Sequence, residues 1–274
     1  MSDPQTNTRR SPLLAVYALV VFAFLYLPII VLIVYSFNRD GVGGFPPKRL
    51  TLQWYRLLFG DGAIWDSVLN SLLVAAATVA FSLVFGLLAA LALDRATFPG
   101  KPIFRRLVLL PLILPGIITG LSLLMFVVFV NMQLSLITVF LGMGTALISV
   151  ATTELFAGLQ KMDRAQEEAS LDLGATPWQT FWRVTLPNLR LSLIAAGLLI
   201  FTLSMDEIAV TFFLIGRDNT LPLEIWARLR RGITPEINAI STLIFGVSVI
   251  LILIWYHIRT RSVGAEAQEL LERP

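Results

Sequence analysis

Two adjacent carboxylates interrupt one of the most apolar parts of the sequence. Asp206 and Glu207 lie in the run LLIFTLSMDEIAVTFFLIG at 198–216. A carboxylate inside a bilayer is costly unless it is paired or wetted, and such residues are functional by default. The pair therefore predicts a path for a cation, in which carboxylates replace the water around an amine. The alternative is a structural role, in which they pair with Arg or Lys on another helix or bond at a subunit interface.

The expected geometry of this pair follows from the helix that would carry it. Neighbouring side chains on one continuous α-helix are about 100° apart. Asp206 and Glu207 would then both border a wide path but could not share one narrow stripe.

A second polar stretch, EEASLDLGATPWQTFWRVTLP at 167–187, carries the start and stop signals of two short helices. Asp163 is placed to cap the first helix, and Gln166, three residues later, is placed to bond back to Asp163. Gly174 is placed to end that helix, because glycine adopts the left-handed conformation cheaply. The first half of the stretch therefore predicts a short helix with defined ends.

The second half repeats this pattern. Thr176 and Gln179 form a T-x-x-Q capping box, Pro177 takes the first helical position, and Pro187 limits the continuation. Together the two halves predict a compact helix–turn–helix between two hydrophobic spans. The alternative is a plain interfacial loop whose aromatic side chains rest among lipid headgroups; these are Trp178, Phe181 and Trp182.

The residues of common catalytic and metal sites are missing. The sequence has no cysteine and a single histidine, His257, which excludes thiolate and multi-histidine metal sites. It has no G-x-x-x-x-G-K-[ST] phosphate loop, since Gly100-Lys101 is followed by Pro102 and residue 95 is Arg95. It also has no carboxylates spaced for hydrolysis and no nucleophile elbow. We therefore expect no catalytic residue, metal or cofactor in this chain.

The elements that must position these residues are membrane spans. The chain has 274 residues, of which 56% are hydrophobic and 14% charged, and its mean hydropathy is +0.78. Soluble domains carry about a quarter charged residues. A helix needs about 20 mainly apolar residues to cross a bilayer. Six segments qualify: 13–36, 68–93, 107–130, 134–157, 190–216 and 239–258.

The distribution of basic residues predicts the orientation. Of the 21 Lys and Arg residues, 13 fall in the two tails and in the loops at 94–106 and 158–190. The other 8 fall in the loops at 37–67 and 217–238. Because basic loops stay inside, both termini are expected in the cytoplasm. The predicted organisation is a cytoplasmic tail at 1–12, one six-span domain at 13–258 with a polar loop at 158–189, and a cytoplasmic tail at 259–274.

Proline and glycine fall inside the third predicted span. Pro115 and Gly116, with Pro111 and Gly120 beside them, predict a kinked or broken helix with freed carbonyl groups. One interpretation is a gate or hinge at Pro115 and Gly116. The other is a static packing kink.

The loop at 158–189 resembles the EAA loop of ABC-importer permease subunits. Glu168, Ala169, Ser170, Gly174, Leu186 and Pro187 follow the spacing of that signature, with Ser170 in place of alanine and Val184 in place of isoleucine. The resemblance implies an all-α integral membrane protein with six transmembrane helices and the type I ABC-importer permease (MetI-like) fold. The loop would be a cytoplasmic coupling helix that docks into a separate ATPase, which binds ATP and Mg.

The same resemblance implies an assembly and a location. The partners would be a second permease subunit, making a heterodimer, two ATPase subunits, and a periplasmic or surface substrate-binding protein. The chain would also contact membrane lipid, and it would bind no nucleic acid. It would be a multi-pass protein of the bacterial inner (plasma) membrane with no enzymatic activity of its own.

A narrower resemblance concerns the cargo. Segments at 202–207, 220–223 and 232–239 are similar to spermidine/putrescine permease subunits, which implies a polyamine path along Trp54, Ser204, Asp206 and Glu207. The sequence departs from that subfamily at Gly116, where an aspartate is usual. Open alternatives are another small cargo, such as an opine or an amino acid, a proton-coupled secondary carrier that uses the same carboxylates, and a membrane scaffold without transport.

Overall fold

The computed structural model describes residues 12–39, 47, 49–232, 234–250 and 253. Most of them are helical, which confirms the all-α expectation. An isolated antiparallel bridge joins Asn38 and Leu50. The predicted tails lie outside the described residues, apart from Pro12, which begins the first helix.

The helices follow one another along the chain with short connections. Their bounds are α1 Pro12–Ser36, α2 Gln53–Gly60, α3 Gly62–Arg95, α4 Lys101–Leu109, α5 Gly116–Phe129, α6 Leu136–Lys161, α7 Ala165–Asp172, α8 Pro177–Thr180, α9 Leu186–Asn188, α10 Arg190–Met205, α11 Ala209–Leu214, α12 Leu221–Arg231 and α13 Pro235–Ile250. A 3₁₀ turn, Leu110–Leu112, follows α4. A π-helical turn, Phe181–Thr185, lies between α8 and α9.

Among the described residues, three helices are long and apolar enough to cross a membrane: α1, α3 and α6. They confirm the first, second and fourth predicted spans. With 34 residues, α3 is about 51 Å long, which exceeds a bilayer core of about 30 Å. Its ends therefore extend beyond the apolar layer, and its last turn carries charged residues.

The third predicted span is broken, as its prolines and glycines indicated. The segment Lys101–Leu112 meets α5 at an angle of 106°. Pro115 precedes α5 with extended backbone (ψ 135°), which ends the preceding helical turn. The segment 107–130 is therefore not one continuous helix, and only its second half, α5, is a straight apolar helix of 14 residues.

The fifth predicted span is also interrupted, at the two carboxylates. Helix α10 ends at Met205, and α11 begins at Ala209. The expectation that Asp206 and Glu207 lie about 100° apart on one continuous helix is therefore wrong. Before α10, the segment Pro177–Asn188 approaches at an angle of 65°. Of the sixth predicted span, α13 is described as far as Ile250, and the remainder, apart from residue 253, lies outside the described residues.

The chain divides into two compact units, and the larger, Gly62–Ala227, carries most of the features below. Its core forms where α3 packs against α6 and α10. Small residues allow this close approach: a Cβ built on Gly86 of α3 would lie 2.3 Å from the Cβ of Ala151 on α6. Ser82 donates a hydrogen bond across the same interface to the carbonyl oxygen of Gly144 at 3.0 Å.

The smaller unit combines described residues from 1–61 and 228–274. Within it, the hydroxyls of Ser36 and Tyr55 lie 2.7 Å apart, which links α1 to α2. Arg228 pairs with Asp61 at 2.7 Å and lies 3.8 Å from Glu236. These polar contacts link the separate segments of this unit.

Candidate functional site

The predicted helix–turn–helix forms, and its first helix ends as expected. Gly174 has φ +86°. Its N–H donates to the carbonyl of Leu171 at 2.9 Å, and the N–H of Ala175 donates to that of Ser170 at 3.1 Å. This pair of bonds is the Schellman motif, which satisfies carbonyl groups left free at a helix end.

The second helix begins with the predicted capping box. Gln179 N–H donates to the hydroxyl of Thr176 at 3.3 Å, and the Gln179 side chain accepts from the Thr176 N–H at 2.9 Å. Asp163 accepts a hydrogen bond from the Ala165 N–H at 3.0 Å. The expectation that the Gln166 side chain bonds back to Asp163 is wrong, because this side chain accepts instead from the side-chain amide of Asn188 at 2.8 Å.

The chain turns towards the membrane through the widened π turn. Pro187 has no N–H and cannot bond to the carbonyl four residues earlier, which favours a wider turn before it. The side-chain amide of Asn188 donates to the carbonyl of Val184 at 2.9 Å, which satisfies one of the groups in this turn. Pro187 therefore redirects the helix, and the chain continues through α9 into α10. We call residues 163–189 the knuckle.

The predicted coupling residues divide between the surface and the inside of the knuckle. Glu168, Ala169, Gly174 and Pro187 are exposed, whereas Ser170 and Leu186 are partly buried. The Ser170 hydroxyl lies 3.0 Å from that of Thr180, so the serine that replaces the usual alanine links the two helices. The Glu168 carboxylate makes no hydrogen bond or ion pair with any residue described.

Large apolar side chains of the knuckle are exposed, as Glu168 is. Leu173 is 89% exposed and Trp178 is 67% exposed. Trp178 stacks on Phe181 at 5.9 Å between ring centroids and meets Trp182 edge-on at 5.5 Å. An exposed apolar patch of this kind with a charge beside it is typical of a binding surface.

The inner side of the knuckle contains a contact that sequence reasoning missed. The Glu167 carboxylate accepts from the guanidinium of Arg95 and from the hydroxyl of Thr185. Arg95 also donates to the Thr185 hydroxyl at 3.4 Å. Arg95 is the last residue of α3 and lies 72 residues before Glu167. No local spacing in one sequence indicates such a pair.

The two carboxylates of the fifth span lie at the break between α10 and α11, in different surroundings. Glu207 is partly buried, and its carboxylate accepts from the N–H of Val210 at 2.8 Å, so that it caps α11. Asp206 is exposed, and its carboxylate has no partner within the described part of the chain. The open end of α10 beside Asp206 carries the negative end of the helix dipole. The break therefore favours a cation near Asp206.

The two broken spans meet at this point. A Cβ built on Gly116, the first residue of α5, would lie 3.3 Å from the Cβ of Ala209 and 3.8 Å from a carboxylate oxygen of Glu207. The N-terminus of α5 thus lies close to Glu207, which it stabilises through its positive dipole end. Pro115, the other predicted hinge residue, immediately precedes this contact.

Ser204 and Trp54, the remaining predicted path residues, each make a contact of their own. Ser204 is buried, with its hydroxyl 3.7 Å from the sulfur of Met143. Trp54 belongs to the smaller unit, where its indole donates to the carbonyl of Asn38 at 2.8 Å. The structure therefore brings Gly116 to Glu207 but shows Ser204 and Trp54 in contacts of their own. Among the described residues, no group of three or more His, Asp or Glu is placed to hold a metal.

Comparison with known proteins identifies related chains. The profile of the family described as "binding-protein-dependent transport system inner membrane component" matches residues 82–263. The putrescine transport system permease protein PotI of Escherichia coli (strain K12) is 36% identical over 90% of this chain and 91% of its own length. The spermidine/putrescine transport system permease protein PotC of the same strain is 32% identical over 85% and 88%.

Solved structures share the fold at lower identity. A chain of the bacterial alginate ABC transporter, in complex with an alginate pentasaccharide-bound periplasmic protein, aligns with TM-score 0.69 at 16% identity, over 92% of this chain and 93% of its own. A chain of the MetNI methionine ABC transporter in an inward-facing conformation aligns with TM-score 0.56 at 16% identity, over 78% and 99%. Both likenesses support the permease fold expected from the loop at 158–189.

Proposed function

This chain belongs to the family of binding-protein-dependent transport system inner membrane components, and from that premise we propose that it forms part of the membrane path for a polyamine of the putrescine and spermidine class. It is a permease subunit of an ABC importer and not an enzyme. The family thus confirms the resemblance that was based on the loop at 158–189.

The carboxylate of Asp206 carries the cargo proposal. It is exposed at a helix break, beside the negative end of α10, and it is not neutralised by any described cation. Glu207, in contrast, is already engaged by the N–H of Val210 and by the nearby N-terminus of α5. Asp206 is therefore the carboxylate available to an ammonium group, while Glu207 sets the shape of the break.

The named relatives support the same class of cargo. PotI is a putrescine permease and PotC a spermidine/putrescine permease, and each aligns over most of this chain. Both cargoes are chains of protonated amines, which carboxylates in a low-dielectric path recognise strongly. Gly116, where a carboxylate is usual in that subfamily, packs against Ala209 and Glu207, so Asp206 and Glu207 are the acidic groups of this region.

The exposed face of the knuckle supports the expected coupling role. Glu168, with Leu173 and Trp178, would dock into a cytoplasmic ATPase, which would bind ATP and Mg. We place two such ATPases, a second permease subunit and an external substrate-binding protein in the assembly, with both termini of this chain in the cytoplasm. ATP-driven closure of the ATPases would then move the knuckle and rearrange the spans around the path.

Reconstitution tests this function directly. The chain, co-expressed with its partner permease and ATPase, is placed in proteoliposomes, and uptake of radiolabelled putrescine is measured with the binding protein. We expect uptake that requires MgATP and that excess spermidine inhibits. Uptake driven by a pH gradient without ATP would contradict the importer. ATP-driven uptake of an amino acid or opine, with none of putrescine, would contradict the polyamine cargo.

A further inference from the structure

Two consecutive residues at the cytoplasmic end of α3 hold the knuckle. Arg95 contacts Glu167 on the first helix of the knuckle and Thr185 on its π turn. Asp94 accepts two hydrogen bonds from the guanidinium of Arg164, each 3.2 Å, and one from the amide of Gln160 at 2.6 Å. The last turn of α3 is thereby tied both to the end of α6 and to the knuckle.

The carboxylates of these contacts are more enclosed than those of ordinary surface ion pairs, although the side chains of their partners Arg164 and Arg95 are 63% and 36% exposed. The side chain of Asp94 is 4% exposed, and that of Glu167 is 15% exposed. Exposed pairs contribute little, but charge-assisted bonds at sheltered sites are shorter and stronger. Glu167 also receives the Thr185 hydroxyl, so its carboxylate oxygen is shared by two donors.

The adjacent residues Glu167 and Glu168 of α7 therefore face in different directions. Successive residues of a helix are about 100° apart, so Glu167 faces α3 while Glu168 faces outward. The outward residue belongs to the coupling surface proposed above. The inward residue connects that surface to α3, a single 34-residue helix that packs against α6 and α10 along the core.

We propose that the Asp94–Arg164 and Arg95–Glu167 pairs form a latch that makes α3 move with the knuckle during transport. This inference rests on the proposed importer function. Apart from the latch, the knuckle joins the spans through its chain connections to α6 and α10 and through Leu189 at its end, which packs in the core with Ala90 of α3. A rigid helix transmits a displacement at one end to the other, so the latch carries the motion of the ATPase to the outer end of α3. Asp94, Arg95 and Glu167 are positioning residues in this scheme.

Coupling measurements test the latch in the assembled, reconstituted transporter. We expect Glu167→Gln and Arg95→Gln to lower the amount of cargo imported per ATP hydrolysed by about fivefold, the low end of coupling between sites. Arg95→Lys should retain the parental ratio, because the contact to Glu167 uses one nitrogen and needs only a positive charge. The matched control is Arg106→Gln, an exposed basic residue in the last turn of α4 whose guanidinium pairs with no described residue.

A purely structural role would give a different result. It would lower import and ATP hydrolysis together, in proportion to the amount of assembled complex, and would leave their ratio unchanged. That result, or a parental ratio in both Gln variants, would overturn the latch. Partial recovery of the ratio in the double variant Arg95→Glu with Glu167→Arg would support it.

Distance measurements decide the same question independently of the cargo. The chain has no cysteine, so Thr97→Cys and Asp172→Cys accept spin labels on a clean background. We expect the distance distribution between the two labels to be the same in the nucleotide-free and the ATP-trapped complex. After Glu167→Gln we expect this distribution to be broader. A distance that changes between the two states in the parent would overturn the latch. Failure to import a polyamine would overturn the proposed cargo, and these distances would still decide whether the latch exists.

Discussion

Gly120 of α5 lies directly against the backbone of Ala209, the first residue of α11: a Cβ built on the glycine would be 3.0 Å from the Ala209 carbonyl oxygen. Gly116, four residues earlier on the same face, meets the Cβ of Ala209. Small residues four apart allow helices in membranes to pack closely. The two interrupted spans are therefore joined at their breaks, beside Glu207.

The first prediction concerns this junction. In Gly120→Ala the new Cβ would also be 2.8 Å from the ring of Phe213 and 3.1 Å from the Cα of Val210, so backbone must move. We expect a loss of about 1–3 kcal/mol in stability, as for other overpacked sites. Thermal unfolding of the purified protein in detergent measures it.

The matched control is Gly246→Ala, on α13, where nothing lies within 4 Å of the new Cβ. This variant should unfold at or above the parental temperature, because alanine favours a helix over glycine. Equal losses in Gly120→Ala and Gly246→Ala would show that the close approach of α5 to α11 does not limit stability.

The second prediction concerns the path. We expect Asp206→Asn to lower kcat/KM for polyamine uptake by about tenfold to a hundredfold, since a hydrogen bond to a charged group contributes roughly 1.5–3 kcal/mol. The unfolding temperature should not fall, because the Asp206 carboxylate makes no hydrogen bond or ion pair with any described residue and lies at the negative end of the α10 dipole. Asp218→Asn, an exposed carboxylate in the loop after α11, is the control and should transport at the parental rate. Normal uptake by Asp206→Asn would remove Asp206 from the path.

The third prediction concerns the outward face of the knuckle. Glu168→Lys should abolish import while the complex still hydrolyses ATP, because the reversed charge opposes docking and the Glu168 carboxylate pairs with no described residue. Glu168→Asp, which keeps the charge, should retain most of the import. The readout is ATP hydrolysis and uptake in the same proteoliposomes. If Glu168→Lys imports normally, the coupling surface lies elsewhere.

Sequence reasoning succeeded where the structure is local. The ends of the knuckle helices depend on Gly174, Thr176 and Gln179, and each of these residues acts within a few positions of itself. Capping chemistry of this kind is visible in one sequence. The three continuous spans α1, α3 and α6 were equally predictable, because hydropathy and length decide them.

The parts that were missed depend on distant neighbours. The break after Met205 falls at the two carboxylates within an apolar run long enough to be a continuous span, and it is stabilised by Glu207 and by the packing of Gly116 against Ala209. Hydropathy does not report such packing. The pairing of Arg95 with Glu167 joins residues 72 apart, and a single sequence contains no signal for it.

The last prediction separates backbone strain from coupling. Gly174 and Gly100 have the same φ of +86°, and no atom lies within 4 Å of a Cβ built on either. Alanine at each site should therefore cost the same strain, about 1–2 kcal/mol, and lower the unfolding temperature equally. Gly174 sets the angle between the two knuckle helices, whereas Gly100 only precedes α4. We expect Gly174→Ala to reduce the cargo imported per ATP and Gly100→Ala to leave that ratio intact. Equal ratios in the two variants would show that the angle at Gly174 does not contribute to coupling.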